Sequence, residues 1–102
     1  MLELRPTCEN CNKNLPPASL EAMICTYECT FCASCVEHVI GNVCPNCGGG
    51  FAPRPIRPAR NWKGDNYLGK DPPTAVVRHR PVSRAEHLAF AETLRGIEPK
   101  DR

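Results

Sequence analysis

The 102-residue sequence lacks the features of a membrane or secreted protein. It contains no apolar run long enough to cross a bilayer. Its N-terminus, MLELRPTC, has neither the basic nor the apolar segment of a signal peptide. We therefore expect a cytoplasmic protein without a membrane partner, in a reducing compartment where disulfide bridges rarely persist.

Catalytic signatures are also absent. The sequence has no Ser/His/Asp arrangement, no phosphate-binding loop and no pair of acids in a recognisable frame. His79 and His87 have no companion ligands nearby, and we expect them to lie on the surface. His38 could replace a cysteine as a metal ligand, but because eight cysteines already suffice for two sites we expect it to be an exposed helix residue. These absences favour a non-enzymatic protein with no catalytic residue and no small-molecule substrate.

Large apolar residues are few in the first half of the chain, which is too small to be stable through an apolar core alone. Eight cysteines are concentrated there instead, three pairs of them spaced Cys-x2-Cys. In a reduced protein this pattern predicts two closed, tetrahedral zinc sites rather than disulfides or an iron–sulfur cluster. The cysteines are Cys8, Cys11, Cys25, Cys29, Cys32, Cys35, Cys44 and Cys47.

Three pairings of these cysteines are open. A sequential pairing leaves only eight residues between Cys35 and Cys44, and a nested pairing crowds four thiolates into Cys25–Cys35. A cross-braced pairing gives gaps of 20 and 14 residues, closer to those usual for zinc ribbons. It is favoured, with Cys8, Cys11, Cys32 and Cys35 in site 1 and Cys25, Cys29, Cys44 and Cys47 in site 2.

Residues 53–82, which we call the strap, are Pro-rich and basic. Such a segment favours polyproline II, whose three residues per turn would place cations at every third position on one edge. Trp62 lies between two of these cations, and Tyr67 follows the last of them. The candidate partner-binding residues are Arg54, Arg57, Arg60, Trp62, Lys63 and Tyr67.

The strap has three possible roles. Residues 1–50 carry a net charge of −3 and residues 51–102 a net charge of +5. The strap could therefore fold back on residues 1–50, which we call the head, with Trp62 as its apolar anchor. It could instead bind a partner protein, or bind single-stranded nucleic acid through residues 54–67.

Secondary structure is predicted in three places. Met23–Thr26 is expected to be a strand and Val36–Ile40 a short helix. Residues 84–95 predict a helix with Ser83 as N-cap and Glu86 completing a capping box. Its apolar residues need a surface to cover them, and the head of the same chain is the simplest one.

The stretch from Phe31-Cys32-Ala33-Ser34-Cys35 to Cys44-Pro45-Asn46-Cys47 resembles an all-cysteine RING finger. A closer similarity lies in the motifs MLELRP, CENC, YECTFCASC and CPNCGG. Over about residues 1–60 the chain resembles bacterial domain-of-unknown-function family 1272. That resemblance implies zinc binding, a bacterial cytosol and no assigned activity. RING ubiquitin ligases usually have an apolar residue between the first two ligands and a cation after the last. The residues here are Glu9, Asn10 and Gly48, which argues against ligase activity.

The sequence therefore predicts a small zinc-stabilised α+β fold. A RING-like, cross-braced two-zinc module spans residues 1–52, the strap residues 53–82, and a C-terminal amphipathic helix residues 83–98. The favoured function is a zinc-binding scaffold or adaptor that mediates protein interaction. Nucleic-acid binding through residues 54–67 is the alternative, and a RING-type ligase or a thiol redox switch is less favoured.

Overall fold

A β-hairpin and a short helix form the centre of the cysteine-rich half. The computed structural model describes residues 1–102. Strand β1 (Ala22–Ile24) pairs antiparallel with β2 (Thr30–Cys32), and helix α1 (Ala33–His38) follows β2 without a loop. Strand β3 (Ala52–Pro53) pairs with the other edge of β1, which gives the sheet order β2-β1-β3. This is a small α+β fold, the class that the sequence predicts.

Helix α1 starts three residues before the helix predicted from the sequence because a cysteine caps it. The Cys32 side chain accepts a hydrogen bond from the Cys35 backbone N–H, as serine or aspartate does at most N-caps. The helix ends before Gly41 and Asn42, which both adopt left-handed backbone conformations with φ of 57° and 58°. Cys32 is thus both the last residue of β2 and the N-cap of α1.

The core is small and includes the cysteines. Phe31 and Ile40 are almost completely buried, and the Cys8 and Cys44 side chains are equally inaccessible. Phe31 packs edge-to-face on Phe51, with ring centroids 5.5 Å apart. Because sulfur atoms occupy much of this interior, the chemical state of the cysteines decides how stable the head is.

The strap folds back along the N-terminal segment of the head, which is the first of the three possibilities considered for it. Thr74 N–H donates to Leu4 O at 3.1 Å, and Arg80 N–H donates to Glu9 O at 2.7 Å. The anchor differs from the one expected, because Trp62 is 76% exposed. Polar bonds to the backbone of the head hold the strap in place instead.

Helix α2 (Arg84–Thr93) begins where the sequence predicts and ends two residues earlier. Its N-cap Ser83 accepts a hydrogen bond from Glu86 N–H at 3.5 Å. None of the helices in the structure is long and apolar enough to cross a membrane.

Helix α2 docks on the head through His87 and Phe90, and Leu94 at its C-cap also lies against Gly48. His87 is buried and its Nε2 lies 2.9 Å from Ile40 O, so the expectation that His87 is a surface residue is wrong. Phe90 lies against Gly48, where an added Cβ would meet the ring at 3.3 Å. Because α2 is too short to be stable alone, these contacts with the head stabilise the helix.

Candidate metal centre

Four cysteines from three elements converge at one end of the hairpin. Cys8 and Cys11 come from the N-terminal loop, Cys32 ends β2, and Cys35 lies in the first turn of α1. Their sulfur atoms all lie within 4.8 Å of one another. This is the set that the cross-braced pairing assigns to site 1. Sequential and nested pairings would place Cys8 and Cys11 beside other cysteines.

The sulfur spacing fits a tetrahedral metal better than a disulfide. The Cys11 and Cys32 sulfurs are 3.8 Å apart, and all eight cysteines are free thiols. A zinc–sulfur bond of about 2.3 Å in a tetrahedral site places neighbouring sulfurs about 3.8 Å apart. A disulfide requires about 2.05 Å. The four thiols are therefore positioned for a metal ion between them.

A second group forms on the other side of the hairpin. The sulfurs of Cys25, Cys44 and Cys47 lie within 4.8 Å of one another. Cys29 is the fourth residue predicted for site 2, but its sulfur does not lie within 4.8 Å of all three of these sulfurs. It interacts with the thiols of Cys25 and Cys44, and its sulfur accepts a hydrogen bond from Asn46 Nδ2 at 3.5 Å. The structure thus brings three of the four predicted ligands together, with Cys29 at the edge of the group.

Backbone N–H groups point at the sulfurs of the second group. Tyr27 N–H donates to Cys25 Sγ at 3.4 Å, and Gly49 N–H donates to Cys47 Sγ at 3.3 Å. Asn46 N–H donates to Cys44 Sγ at 3.4 Å. Each donor lies two residues after its cysteine, in the tight turn that follows it. Such bonds stabilise the thiolate form that a metal requires.

Burial has the opposite effect on several thiols. It raises the pKa of Cys8 and of Cys44, and it raises the pKa of Cys35 to about 12. For Cys11 burial also acts upward, but hydrogen bonds from the Lys13 backbone and from neighbouring thiols outweigh it and lower the pKa. Several thiolates can be buried together only if a cation compensates their charge. The donor set therefore fits a thiophilic metal ion such as zinc.

Asn10 links the first cysteine group to the C-terminal part of the chain. Its Nδ2 donates to Cys35 Sγ at 3.3 Å, and its Oδ1 accepts a hydrogen bond from Val82 N–H at 2.8 Å. Its backbone oxygen lies 3.1 Å from His79 Nε2. This role of Asn10 was not predicted, although a polar amide between two predicted ligands is a signal for it.

Glu9 is buried beside Asn10 for a structural reason. One carboxylate oxygen accepts a hydrogen bond from Thr30 N–H at 2.7 Å and lies 3.2 Å from an Arg5 guanidinium nitrogen. The loop between Cys8 and Cys11 is thus held from inside by Glu9. From outside it is covered by residues 79–82.

The two N-terminal cations of the strap point into the protein. Arg54 is only 4% exposed and donates to the carbonyl oxygens of Arg5, Leu15 and Pro16 at 2.9, 3.2 and 3.0 Å. Burial lowers the pKa of its guanidinium. Arg57 donates to Leu2 O at 2.6 Å and to Asp71 O at 2.7 Å. The four strap cations therefore do not line one exposed edge, because β3 pairing turns Arg54 inward.

The remaining candidate residues of the strap lie together in a closed loop. Leu68 N–H donates to Pro58 O at 2.9 Å and closes it, and Asn61 and Asp65 bond each other across its tip. Arg60, Trp62 and Lys63 are exposed, and Tyr67 is half-buried. The structure thus separates Arg54 and Arg57 from the other four candidates.

Comparison with known proteins identifies one family and one relative. A model of the family described as "Protein of unknown function (DUF1272)" matches residues 1–57. An uncharacterised protein of Rhizobium meliloti (strain 1021) is 63% identical over 63 residues, which cover 62% of this chain and 75% of that protein. No solved structure matches the chain. The family match includes all eight cysteines, Arg54 and Arg57, and it ends before helix α2.

Proposed function

We propose that this chain, which belongs to the DUF1272 family of proteins of unknown function, is a non-enzymatic zinc-binding scaffold or adaptor that mediates protein interaction. One zinc ion would be held by Cys8, Cys11, Cys32 and Cys35, and a second by Cys25, Cys44, Cys47 and the adjacent Cys29. Zinc bound by four thiolates is a structural ion that leaves no coordination position for a substrate.

The convergence of Cys8, Cys11, Cys32 and Cys35 carries this proposal, because the four sulfurs lie within 4.8 Å of one another. Zinc at this position would tie the N-terminal loop to the hairpin and to α1. The strap and α2 bond to the same elements through Asn10 and Ile40. A metal-locked head would thus present the loop at Trp62 and the outer side of α2 at defined positions.

The other two functions are less well supported. A RING-type ligase needs the loop between the first two ligands to be free, and residues 79–82 cover it. A redox switch would act through the two exposed cysteines, Cys11 and Cys47. Zinc-bound thiolates are less available to oxidants, so the scaffold role remains the better explanation.

Replacing one ligand should remove one metal. We expect Cys32→Ala to hold one zinc per chain instead of two, because three thiolates no longer complete site 1. Ser34→Ala, which changes an exposed residue on the same helix, is the matched control and should retain both ions. Elemental analysis of protein purified under reducing conditions measures the ratio. Wild-type protein without zinc and with oxidised thiols would contradict the zinc sites.

The adaptor role can be tested with the same variants. Zinc-loaded wild-type protein, used as bait in lysate of its own cells, should retain a protein after nuclease treatment at low and high salt. Cys32→Ala should lose that protein and Ser34→Ala should keep it. A turnover that depends on the cysteines, measured in protein holding both zinc ions, would overturn the non-enzymatic role.

Nucleic-acid binding is a second candidate, supported by the exposed side chain of Trp62. This ring is 76% exposed between the exposed cations Arg60 and Lys63, in a loop closed by the Pro58–Leu68 hydrogen bond. A base could stack on the ring while the cations contact phosphates. With Arg54 and Arg57 bonded internally, the interface would be restricted to residues 58–68.

Trp62→Ala tests this second candidate. If the loop binds single-stranded nucleic acid, the variant should weaken binding of an oligothymidine by about tenfold, because a stacked base contributes about 1–3 kcal/mol. Fluorescence anisotropy measures the affinity, and binding should also fall steeply with salt. Leu20→Ala removes another exposed apolar side chain, one that belongs to the head, and should have no effect. Equal affinity of Trp62→Ala and wild type would exclude this interface.

A further inference from the structure

An apolar groove of about 530 Å³ lies between α2 and the C-terminal end of α1. The buried side chains of Ile40 and Val43 form its floor. Leu88, which is 63% exposed, and Ile97, which is 39% exposed, stand at its sides. Exposed apolar side chains grouped over an apolar floor are typical of a surface that another molecule covers.

The docking of α2 explains why this groove stays open. His87 and Phe90 face the head, where they contact Ile40 and Gly48. Leu88 is therefore turned away from the head contact and remains exposed. Helix α2 is held from one side, and its outer side is left without a partner in the chain.

The groove is surrounded mainly by positive charge. Arg84, Arg95 and Arg102 line it, and Glu92 is its only acidic residue. Glu92 lies 3.5 Å from Arg95, an exposed pair that contributes little. The Arg102 guanidinium is held in place by the carbonyl oxygens of Asn42 and Gly48 at 2.9 and 3.2 Å. An occupant of this groove must therefore combine an apolar face with negative charge.

We propose that this groove binds an acidic amphipathic helix of a partner protein. Apolar side chains at positions i, i+3, i+4 and i+7 of that helix would fill the groove, and its Asp and Glu residues would face Arg84 and Arg95. A second copy of the chain fits less well, because a symmetric contact would bring the same arginines together. The proposal rests on the scaffold role, since zinc at the Cys32–Cys35 end of α1 would hold the groove's floor.

A synthetic peptide tests the groove directly. We expect an amphipathic peptide with Leu on one face and Glu on the other to bind the zinc-loaded chain with a Kd of about 100 µM or lower. Amide signals of Leu88, Ala91 and Ile97 should shift in NMR spectra of the labelled protein. A peptide in which Lys replaces every Glu should bind at least about tenfold more weakly, because it meets like charges.

Variants identify the surface that binds. Leu88→Glu and the double change Arg84→Glu with Arg95→Glu should each weaken the acidic peptide at least about tenfold. Leu20→Glu, a change at an exposed leucine that does not line the groove, should bind as wild type does. Equal binding of both peptides, unchanged affinity of the groove variants, or a concentration-dependent dimer that shifts the same signals would overturn the proposal.

Zinc content, measured on each sample, separates the two proposals. Two zinc ions per chain without peptide binding would overturn the groove alone. Fewer than two ions in the wild-type protein would overturn the scaffold on which the groove depends.

Discussion

Removing the metal should unfold the cysteine-rich half of the chain. The head has few large apolar residues, and sulfur atoms such as those of Cys8 and Cys44 occupy its centre. Binding of a structural zinc contributes about 10–16 kcal/mol in zinc-finger peptides, which is comparable to the whole stability of a typical small domain. A strong chelator with a thiol reductant should therefore abolish the amide dispersion of residues 1–50 in NMR spectra.

The rest of the chain should unfold with the head. The strap and α2 are bonded to the head through Asn10, Glu9 and Ile40. A helix of ten residues is too short to persist alone in water, so the helical circular dichroism should fall as well. Zinc should restore both signals and magnesium should not, because thiolates prefer soft cations. Dispersion that persists in metal-free, reduced protein would contradict the proposed role of zinc in folding.

Replacing Arg54 should have the second largest effect. Its buried guanidinium donates to three carbonyl oxygens, and the change Arg54→Met would leave those of Arg5 and Leu15 without a donor. A hydrogen bond to a charged group contributes about 1.5–3 kcal/mol, so we expect the free energy of unfolding to fall by about 3 kcal/mol or more. Urea unfolding of zinc-loaded protein at fixed free zinc measures the change.

Arg60→Met is the matched control for Arg54. Arg60 belongs to the same series of strap cations but is exposed, so its replacement should change stability by about 0.5 kcal/mol or less. Equal effects of the two changes would show that the strap is not docked through Arg54. The comparison also separates the structural cations of the strap from those available to a partner.

Local patterns in the sequence predicted several elements correctly. Ser83 caps α2 as expected, and the strand predicted over residues 23–26 is found as β1, which starts one residue earlier and ends two residues earlier. The β2 strand Thr30–Cys32 was not predicted, although its β-branched and aromatic residues are typical of a strand. The family membership inferred from the cysteine motifs is confirmed by the match over residues 1–57.

Long-range contacts account for the predictions that were wrong. Arg54 and Arg60 are alike in sequence, and only pairing of β3 with β1 makes one buried and the other exposed. His87 lies in the predicted helix 84–95, but the helical pattern does not say which surface the helix docks on. The burial of His87 follows from the position of Ile40, 47 residues earlier, against which α2 docks.

The sequence by itself determined the family and the cysteine set, because turns of the type Cys-x2-Cys place two sulfurs together through local geometry alone. Only the tertiary structure decided which pairs meet. The hairpin of β1 and β2 brings Cys32 and Cys35 to Cys8 and Cys11, and it leaves Cys29 at the edge of the other group. It also decided which cations hold the strap and which remain exposed, because burial depends on contacts between residues far apart in the chain.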